Sequence, residues 1–169
     1  MVHGDLTIVS NPKLRNLSGL ENLKCVKGNV FIVSNDQLES LSGLIGLTTI
    51  EGSIQIVKNT SLRETDGLGS LITIQGSLSI IGSPDLRNLN GFQDVETLHG
   101  LLIESTGLQD LSGLDSLKTI NGDTTIHFNQ WLQNLDGIDA LETVGGNFKV
   151  SQNPELEEID ALANVSEVN

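Results

Sequence analysis

The chain has 169 residues, 22 of them acidic and 9 basic, and its formal net charge at pH 7 is −13. Nucleic-acid binding and docking on anionic membranes both need a basic surface, so the composition argues against either partner. Apolar residues make up 37% of the chain, too many for a disordered acidic tail. No apolar run approaches the ~18 residues of a membrane-spanning helix, and residues 1–20 show no signal peptide.

Glycines recur along the chain at a nearly constant interval. They begin seven units, at Gly4, Gly28, Gly52, Gly76, Gly100, Gly122 and Gly146. Six units have 24 residues and the fifth has 22. A fixed period of this length indicates stacked repeats that share one core, so we expect a single domain over residues 1–169.

Counted from the glycine of each unit, positions 3, 5, 11, 14, 17, 20 and 23 are apolar at 47 of their 49 sites, and Thr65 and Thr124 are the exceptions. Alternation over positions 3 to 5, as in Leu6-Thr7-Ile8, predicts a strand. The later spacing of three favours tight turns over an α-helix. We therefore predict a strand, a corner, a one-turn helix or bend, and a second short strand near Thr49-Ile50. Successive coils would stack about 4.8 Å apart.

Three polar or glycine columns accompany the apolar ones. The position-8 column is predicted to point inward and bond the neighbouring turn, and it reads Asn11, Asn35, Asn59, Ser83, Ser105, Asn129, Asn153. Position 15 holds Ser, Asp or Asn and is predicted to cap the helical turn, with Ser18 and Glu21 forming a capping box. The position-1 glycines are expected to provide either a positive φ or a close backbone approach.

One stretch of the repeat carries a family resemblance. Leu44–Asn59, LIGLTTIEGSIQIVKN, resembles the receptor L domain, the ligand-binding domain of the insulin and epidermal-growth-factor receptors. It also resembles L-domain-type repeats of fungal and protist cell-surface proteins, and the pattern recurs at Leu68–Ser83 and Leu114–Asn129. The resemblance implies an all-β, right-handed, single-stranded parallel β-helix that binds ligands outside the cell or at its surface.

The alternative fold is the leucine-rich-repeat horseshoe, which shares the L-x-I-x-x-N motif. The G-x insertion before each strand, as at Gln75-Gly76, and the lack of room for an outer helix argue against it. The receptor domains carry disulfides and end caps, whereas this chain has one cysteine and no polar capping element. We therefore expect a fragment of a longer protein, or ends that pair with something, including a second copy of the chain.

Catalytic and metal-binding motifs are absent from the sequence. The three histidines lack zinc-site spacing, there is no G-x-S-x-G elbow, and Cys25 falls in a column that is otherwise mostly threonine. We therefore predict no enzyme, no metal and no cofactor. Asp136, Asp139 and Asp160 are interpreted as capping residues, with a calcium site as the alternative. The threonine column itself is interpreted as structural, with ice binding as the alternative.

The outer face of the first strand is the predicted binding face, because positions 4 and 6 should point outward. Its candidate residues are Thr7, Val9, Phe31, Val33, Gln55, Val57, Ser79, Ile81 and His127. Four of them, Val9, Val33, Val57 and Ile81, form what we call the apolar stripe. Strand propensity alone, or cover by another domain, would also explain the stripe. Trp131 is a secondary candidate, either exposed at a corner or packed over Phe128.

These observations predict a non-catalytic extracellular module that recognises a protein or carbohydrate ligand through one face of the solenoid. A structural spacer or cell-surface scaffold is the first alternative and an ice-binding protein the second. Residues 76–169 hold 15 acids and 3 bases, which favours either solubility or a basic partner. Glycosylation sequons begin at Asn16, Asn59 and Asn164, and Asn59 is a poor acceptor if its column is buried.

Overall fold

The computed structural model describes residues 1–169 as a parallel β-solenoid of seven coils. Each coil contributes one four-residue strand and one two-residue strand. The longer strands are β1 (Leu6–Val9), β3 (Val30–Val33), β5 (Ile54–Val57), β7 (Leu78–Ile81), β9 (Leu101–Glu104), β11 (Thr124–His127) and β13 (Phe148–Ser151). The shorter strands are β2 (Cys25–Val26), β4 (Thr49–Ile50), β6 (Thr73–Ile74), β8 (Thr97–Leu98), β10 (Thr119–Ile120), β12 (Thr143–Val144) and β14 (Glu167–Val168).

The seven longer strands form one continuous parallel sheet in chain order, which we call the broad sheet. Its register pairs equivalent positions of successive units, as in Val30 with Ile54 and Ile54 with Leu78. The register of the broad sheet therefore matches the repeat predicted from the sequence. Within this sheet, each apolar column is a row of directly stacked side chains.

The core runs the length of the solenoid between its strands and turns. It contains 37 buried apolar residues in one cluster, among them the interior members of the leucine column such as Leu38, Leu62 and Leu86 at 0% exposure. Phe92 is the only aromatic residue among them. No unit could bury its apolar side alone, so stacking is what stabilises each coil.

The turn that follows each corner takes one of two forms. Four coils contain 3₁₀ turns, at Ser42–Leu44, Asp66–Leu68, Asn90–Phe92 and Asp160–Leu162. In the first, fifth and sixth coils the turn glycine instead has a left-handed φ, as at Gly137 with φ +106°. There an acid two residues later accepts its N–H: Glu21 from Gly19, Asp115 from Gly113 and Asp139 from Gly137, each at 2.9 Å. An acid at this place accompanies the left-handed form.

The predicted capping at position 15 is wrong. Glu21 bonds the Gly19 N–H and not Ser18, and none of the 3₁₀ turns has a side-chain cap. In several coils the side chain two positions earlier accepts the backbone N–H of the position-15 residue. Asn16, for example, accepts the Ser18 N–H at 3.1 Å. The pattern repeats at Ser40, Asn88, Asp110 and Asn134. These are Asx-type turns, which satisfy a backbone donor without starting a helix.

A left-handed residue follows every strand of the broad sheet. The seven residues are Ser10, Ser34, Lys58, Gly82, Ser105, Phe128 and Gln152, with φ between 53° and 65°. Only one of them is glycine. The left-handed region is disfavoured for residues with a Cβ, so six coils carry a strained corner that stacking must hold in place.

The predicted inward column of amides is confirmed. Asn35 and Asn59 are fully buried, and the Asn59 Nδ2 donates to Ile32 O at 2.8 Å across the coil boundary. In the fifth coil the alignment from sequence was off by one residue: Thr106 lies in the column and donates its Oγ1–H to Asn129 Oδ1 at 2.8 Å, while Ser105 occupies the left-handed corner. Ser83 is buried with no partner for its hydroxyl.

Most of the position-1 glycines are required for close backbone approach, and none for positive φ; Gly4, in the first coil, has open space beside it. None of the seven is in the left-handed region. A Cβ on Gly28 would overlap the backbone of Gly4 in the preceding coil. The stacking distance at this corner is therefore set by the absence of a side chain.

The shorter strands form two sheets, because β6 and β8 do not pair. Two residues, His99 and Gly100, separate β8 from β9, whereas three separate β6 from β7. The shorter corner displaces the ladder, so His99 N–H donates to Gly76 O at 3.0 Å where Gln75, one coil earlier, donates to Ile50 O. The short fifth unit is thus accommodated by a split on this side of the solenoid, while the broad sheet stays intact.

Candidate binding face

The outer surface of the broad sheet consists of two parallel rows of side chains. Strand alternation buries positions 3 and 5 and leaves positions 4 and 6 partly or fully exposed, as in the pattern buried–intermediate–buried–intermediate of β3. One row runs Thr7, Phe31, Gln55, Ser79, Leu102, Thr125, Lys149, and the other runs Val9, Val33, Val57, Ile81, Glu104, His127, Ser151. All nine predicted face residues therefore share one surface.

The apolar stripe lies over the first four coils of this surface. Val9 is paired with Val33, Val33 with Val57, and Val57 with Ile81, so their side chains form a contiguous line. Val9 is 42% exposed, and the other three are half-buried by their neighbours. Phe31 flanks the line on the adjoining row and is also half-buried. The stripe is thus an apolar surface that water reaches.

The same row changes chemistry after the fourth coil. His127 Nε2 lies 3.0 Å from Glu104 Oε2, and the side chains of the two residues are 20% and 30% exposed. The pair is an ion pair when His127 is protonated and a hydrogen bond when it is neutral. The sequence puts Glu104 next to His127 in the position-6 column, and the register confirms that neighbourhood, although only His127 was predicted to belong to the binding face.

Two exposed aromatic residues stand at the edge of the polar end of the face. Phe128 is 50% exposed at a left-handed corner, and its ring centroid is 4.7 Å from that of His127. Trp131, three residues later in a turn, is 52% exposed. Phe128 thus pairs with His127 and not with Trp131, so Trp131 takes the exposed-corner alternative and not the packing over Phe128.

A second concave surface lies where β6 and β8 separate. This groove has a volume of about 480 Å³ and is lined by Ile72, Thr73, Asp94, Glu96, Thr97 and Asn121, among others. Ile72 is 60% exposed there. The sequence feature related to this groove is the shortened fifth unit, which has two residues fewer than the others. The sequence alone did not predict the groove.

The residues considered for chemistry are dispersed. Cys25 is a half-buried free thiol on β2, where it pairs with Thr49 and occupies the threonine column as predicted. That column is interrupted between Thr73 and Thr97, since β6 and β8 do not pair. No group of three or more His, Cys, Asp or Glu side chains is arranged to hold a metal ion. No helix of the structure has the length and hydrophobicity to cross a membrane.

The three sequons differ in access. Asn59 is fully buried and its Nδ2 is bonded to Ile32 O and Val57 O, so it is not available for glycosylation in the folded chain. Asn16 is exposed and uses its Oδ1, leaving its Nδ2 without a partner in the chain. Asn164 is exposed, and its Nδ2 donates to Asp139 O at 2.8 Å.

Comparison with protein-family models, with curated proteins and with solved structures finds no match to this chain. The features that bear on function are therefore the solenoid itself, the broad sheet with its two outward rows, and the repeated motif.

Proposed function

We propose that the chain is a non-catalytic recognition module that binds a protein or carbohydrate ligand through the outer surface of the broad sheet. We further propose that it is an L-domain-like repeat protein acting outside the cell or at its surface. The fold supports the first part, and the L-x-x-L-x-x-I-x-G-x-L-x-I-x-x-N motif supports the second. The net charge of −13 argues against nucleic acid as a partner, and the proposed function involves no cofactor.

The observation that carries the proposal is the apolar stripe. Four aliphatic side chains stacked in register make a contiguous apolar line on the water-facing side of the sheet, and exposed lines of this kind often mark interaction sites. Burying one valine against a partner is worth about 1.5–3 kcal/mol. The four side chains together therefore provide enough apolar contact for the centre of a modest interface.

The arrangement of polar groups beyond the stripe also fits recognition. Interfaces place aromatic and apolar side chains at the centre and polar side chains at the rim. Here the stripe is followed by the Glu104–His127 pair and then by the exposed rings of Phe128 and Trp131. Rings of this kind stack on sugar faces or fill pockets of a protein partner, so both ligand classes remain within the proposal.

The experiment compares ligand binding by the wild type and by Val33→Asp and Val57→Asp variants. Labelled chain in solution is applied to a glycan array and to a panel of immobilised secreted proteins. An unpaired carboxylate in the stripe is expected to weaken binding tenfold or more while the variants remain folded, because both positions reach solvent. Circular dichroism checks the fold.

The matched control is Ile45→Asp. Ile45 is 47% exposed and lies on a turn away from the broad sheet, so the same change in charge and hydrophobicity should leave binding intact. Ligands that all three variants retain equally would refute the stripe as the site. Unfolding of both valine variants would mean that these side chains belong to the core.

A structural spacer is the alternative function, favoured by the uninterrupted seven-stranded ladder. A spacer predicts that the valine variants fold normally and that no glycan or protein on either panel distinguishes them from the wild type.

A further inference from the structure

We infer that the chain associates end to end with a second copy of itself, with the last coil of one molecule docking on the first coil of the next. This inference does not depend on the proposed function. It begins from the two open edges of the broad sheet: β1 pairs only with β3, and β13 pairs only with β11. Open edges of a parallel sheet offer unpaired N–H and C=O groups to another strand.

The apolar columns are incomplete at both ends. Leu14 begins the leucine column and is half-buried, whereas Leu38, the next member, is fully buried. At the other end Ile159 and Val168 are each 53% exposed. A further coil stacked on either end would cover these side chains as the interior coils cover one another.

The amide column gives the two ends matching donors and acceptors. In the interior, each amide oxygen accepts the backbone N–H of the residue one coil earlier: Asn11 N–H donates to Asn35 Oδ1 at 3.1 Å, and Asn129 N–H to Asn153 Oδ1 at 2.9 Å. At the ends, Asn11 Oδ1 receives no hydrogen bond, and Asn153 N–H makes none. A copy stacked one coil beyond the last would place these two groups together.

The charges of the end coils are opposite. The first unit, residues 4–27, has four bases and two acids, a net charge of +2, and the last, residues 146–169, has one base and five acids, a net charge of −4. End-to-end stacking would also bring oppositely charged residues at equivalent positions of the two end coils next to each other. Arg15 Nη1 lies 3.9 Å from Glu39 Oε1, so these positions reach each other between adjacent coils. Glu157 holds the same position in the last coil and would meet the Arg15 of a second copy.

One segment must move for the shorter strands to join as well. Val2 lies beside Val26, and Lys27 N–H donates to Val2 O at 3.0 Å. Asn169 N–H donates to Val144 O in the equivalent way. In a stack, Val168 of the second copy would take the place of Val2, so residues 1–3 compete with the junction. Removing them should favour association.

The junction joins two different surfaces and is therefore heterologous, so it does not close at two molecules. We expect an open series of assemblies whose average mass grows with concentration. The measurement is sedimentation velocity of the purified 169-residue chain from about 1 µM to about 1 mM, the range in which weak interfaces form. The expected result is an average mass that rises above 18.1 kDa and passes the dimer.

Charge-swap variants test the register. Glu157→Arg and Arg15→Glu, alone, are each expected to weaken association roughly tenfold by replacing attraction with repulsion. The double variant restores the pair and should recover most of the loss. Arg63→Glu is the matched control, since Arg63 occupies the same column in the middle of the solenoid and should leave association unchanged. Deletion of residues 1–3 should strengthen it.

Three results would overturn the inference. The first would be an average mass that stays at 18.1 kDa over the whole concentration range. The second would be a double variant that associates no better than the single variants. The third would be association that Val33→Asp abolishes and that the charge changes at the ends leave unaffected. In that case the copies meet through the broad sheet.

Discussion

The Nδ2 of Asn35 donates to the Oδ1 of Asn59 at 3.2 Å, and both side chains are entirely shielded from solvent. The Asn35 N–H donates to the same oxygen at 3.1 Å. Each amide thus joins its own coil to the next at the corner, where the strand ladder ends. The column is a stack of buried polar contacts whose contribution depends on the pairing of its amides, and only the Ser83 hydroxyl lacks a partner within the buried part of the column.

Replacement of Asn59 by alanine removes an acceptor for two donors of Asn35 and the donor to Ile32 O. Each buried group left without a partner costs about 1–3 kcal/mol, so we expect Asn59→Ala to lower the free energy of unfolding by at least ~3 kcal/mol. Urea unfolding provides the measurement. Asn11→Ala, in the same column but exposed, is the control and should cost less; equal losses would contradict the role of burial.

Lys58 occupies a left-handed corner, with φ +54°. Glycine relieves the strain of its Cβ but raises the entropy of the unfolded chain, so Lys58→Gly should change stability little or raise it by up to ~1 kcal/mol. Lys58→Val should lower it by about 1–2 kcal/mol, because branching at Cβ crowds this region further. Thermal unfolding compares the two, and a glycine variant less stable than the valine variant would disprove the strain.

Leu62 is fully buried in the column that is leucine in every unit. Leu62→Ala should leave a cavity and cost about 2–5 kcal/mol, while the volume-conserving Leu62→Met should cost less than ~1.5 kcal/mol. Leu62→Asp should abolish cooperative unfolding, since the carboxylate has no partner in the core. A cooperative melt for Leu62→Asp would show that the column is not internal.

Glu21 accepts the Gly19 N–H with both carboxylate oxygens, at 2.9 and 3.0 Å. The hydrogen bonds from Gly19 and from its own backbone hold the pKa of Glu21 below the ordinary 4.5. A carboxyl whose pKa is lower in the folded state contributes stability above its unfolded pKa and loses it as the pH falls through the folded value. The stabilisation is therefore present at neutral pH and is lost only under acid conditions.

We therefore expect the wild type to exceed Glu21→Gln in melting temperature at neutral pH, with the difference shrinking as the pH falls below about 4.5. Melting temperatures at a series of pH values, from neutral to strongly acidic, provide the test. A difference that grows on acidification would contradict the lowered pKa.

The columns of the solenoid were predictable because each inward position is repeated in every unit, so that one residue's role is tested seven times. Leu62, Asn59 and the outward Val33 all lie where their columns place them. Strand alternation likewise places the predicted binding face on the outside of the broad sheet.

Features that depend on backbone geometry or on a single deletion were not predictable. The left-handed corner is occupied by residues as different as Ser34, Lys58 and Phe128, so composition carries no signal for it. The alignment of Ser105 in place of Thr106 followed from not knowing where the shortened unit loses its two residues. The groove between β6 and β8 lies beside the same shortened unit, and no sequence pattern indicated it.

The unpaired boundary between β6 and β8 has a mechanical consequence. Elsewhere the broad sheet and a sheet of shorter strands both join successive coils by hydrogen bonds and resist bending. Across this boundary the shorter strands do not pair, and on that side the displaced bond from His99 N–H to Gly76 O takes the place of the strand ladder, so the rod is expected to flex there, with the intact broad sheet as the hinge. Bending that moves β6 and β8 apart would widen the groove beside Ile72 and Thr97, and bending that brings them together would close it. The angle between the two halves of the molecule and the width of this groove are thus one variable.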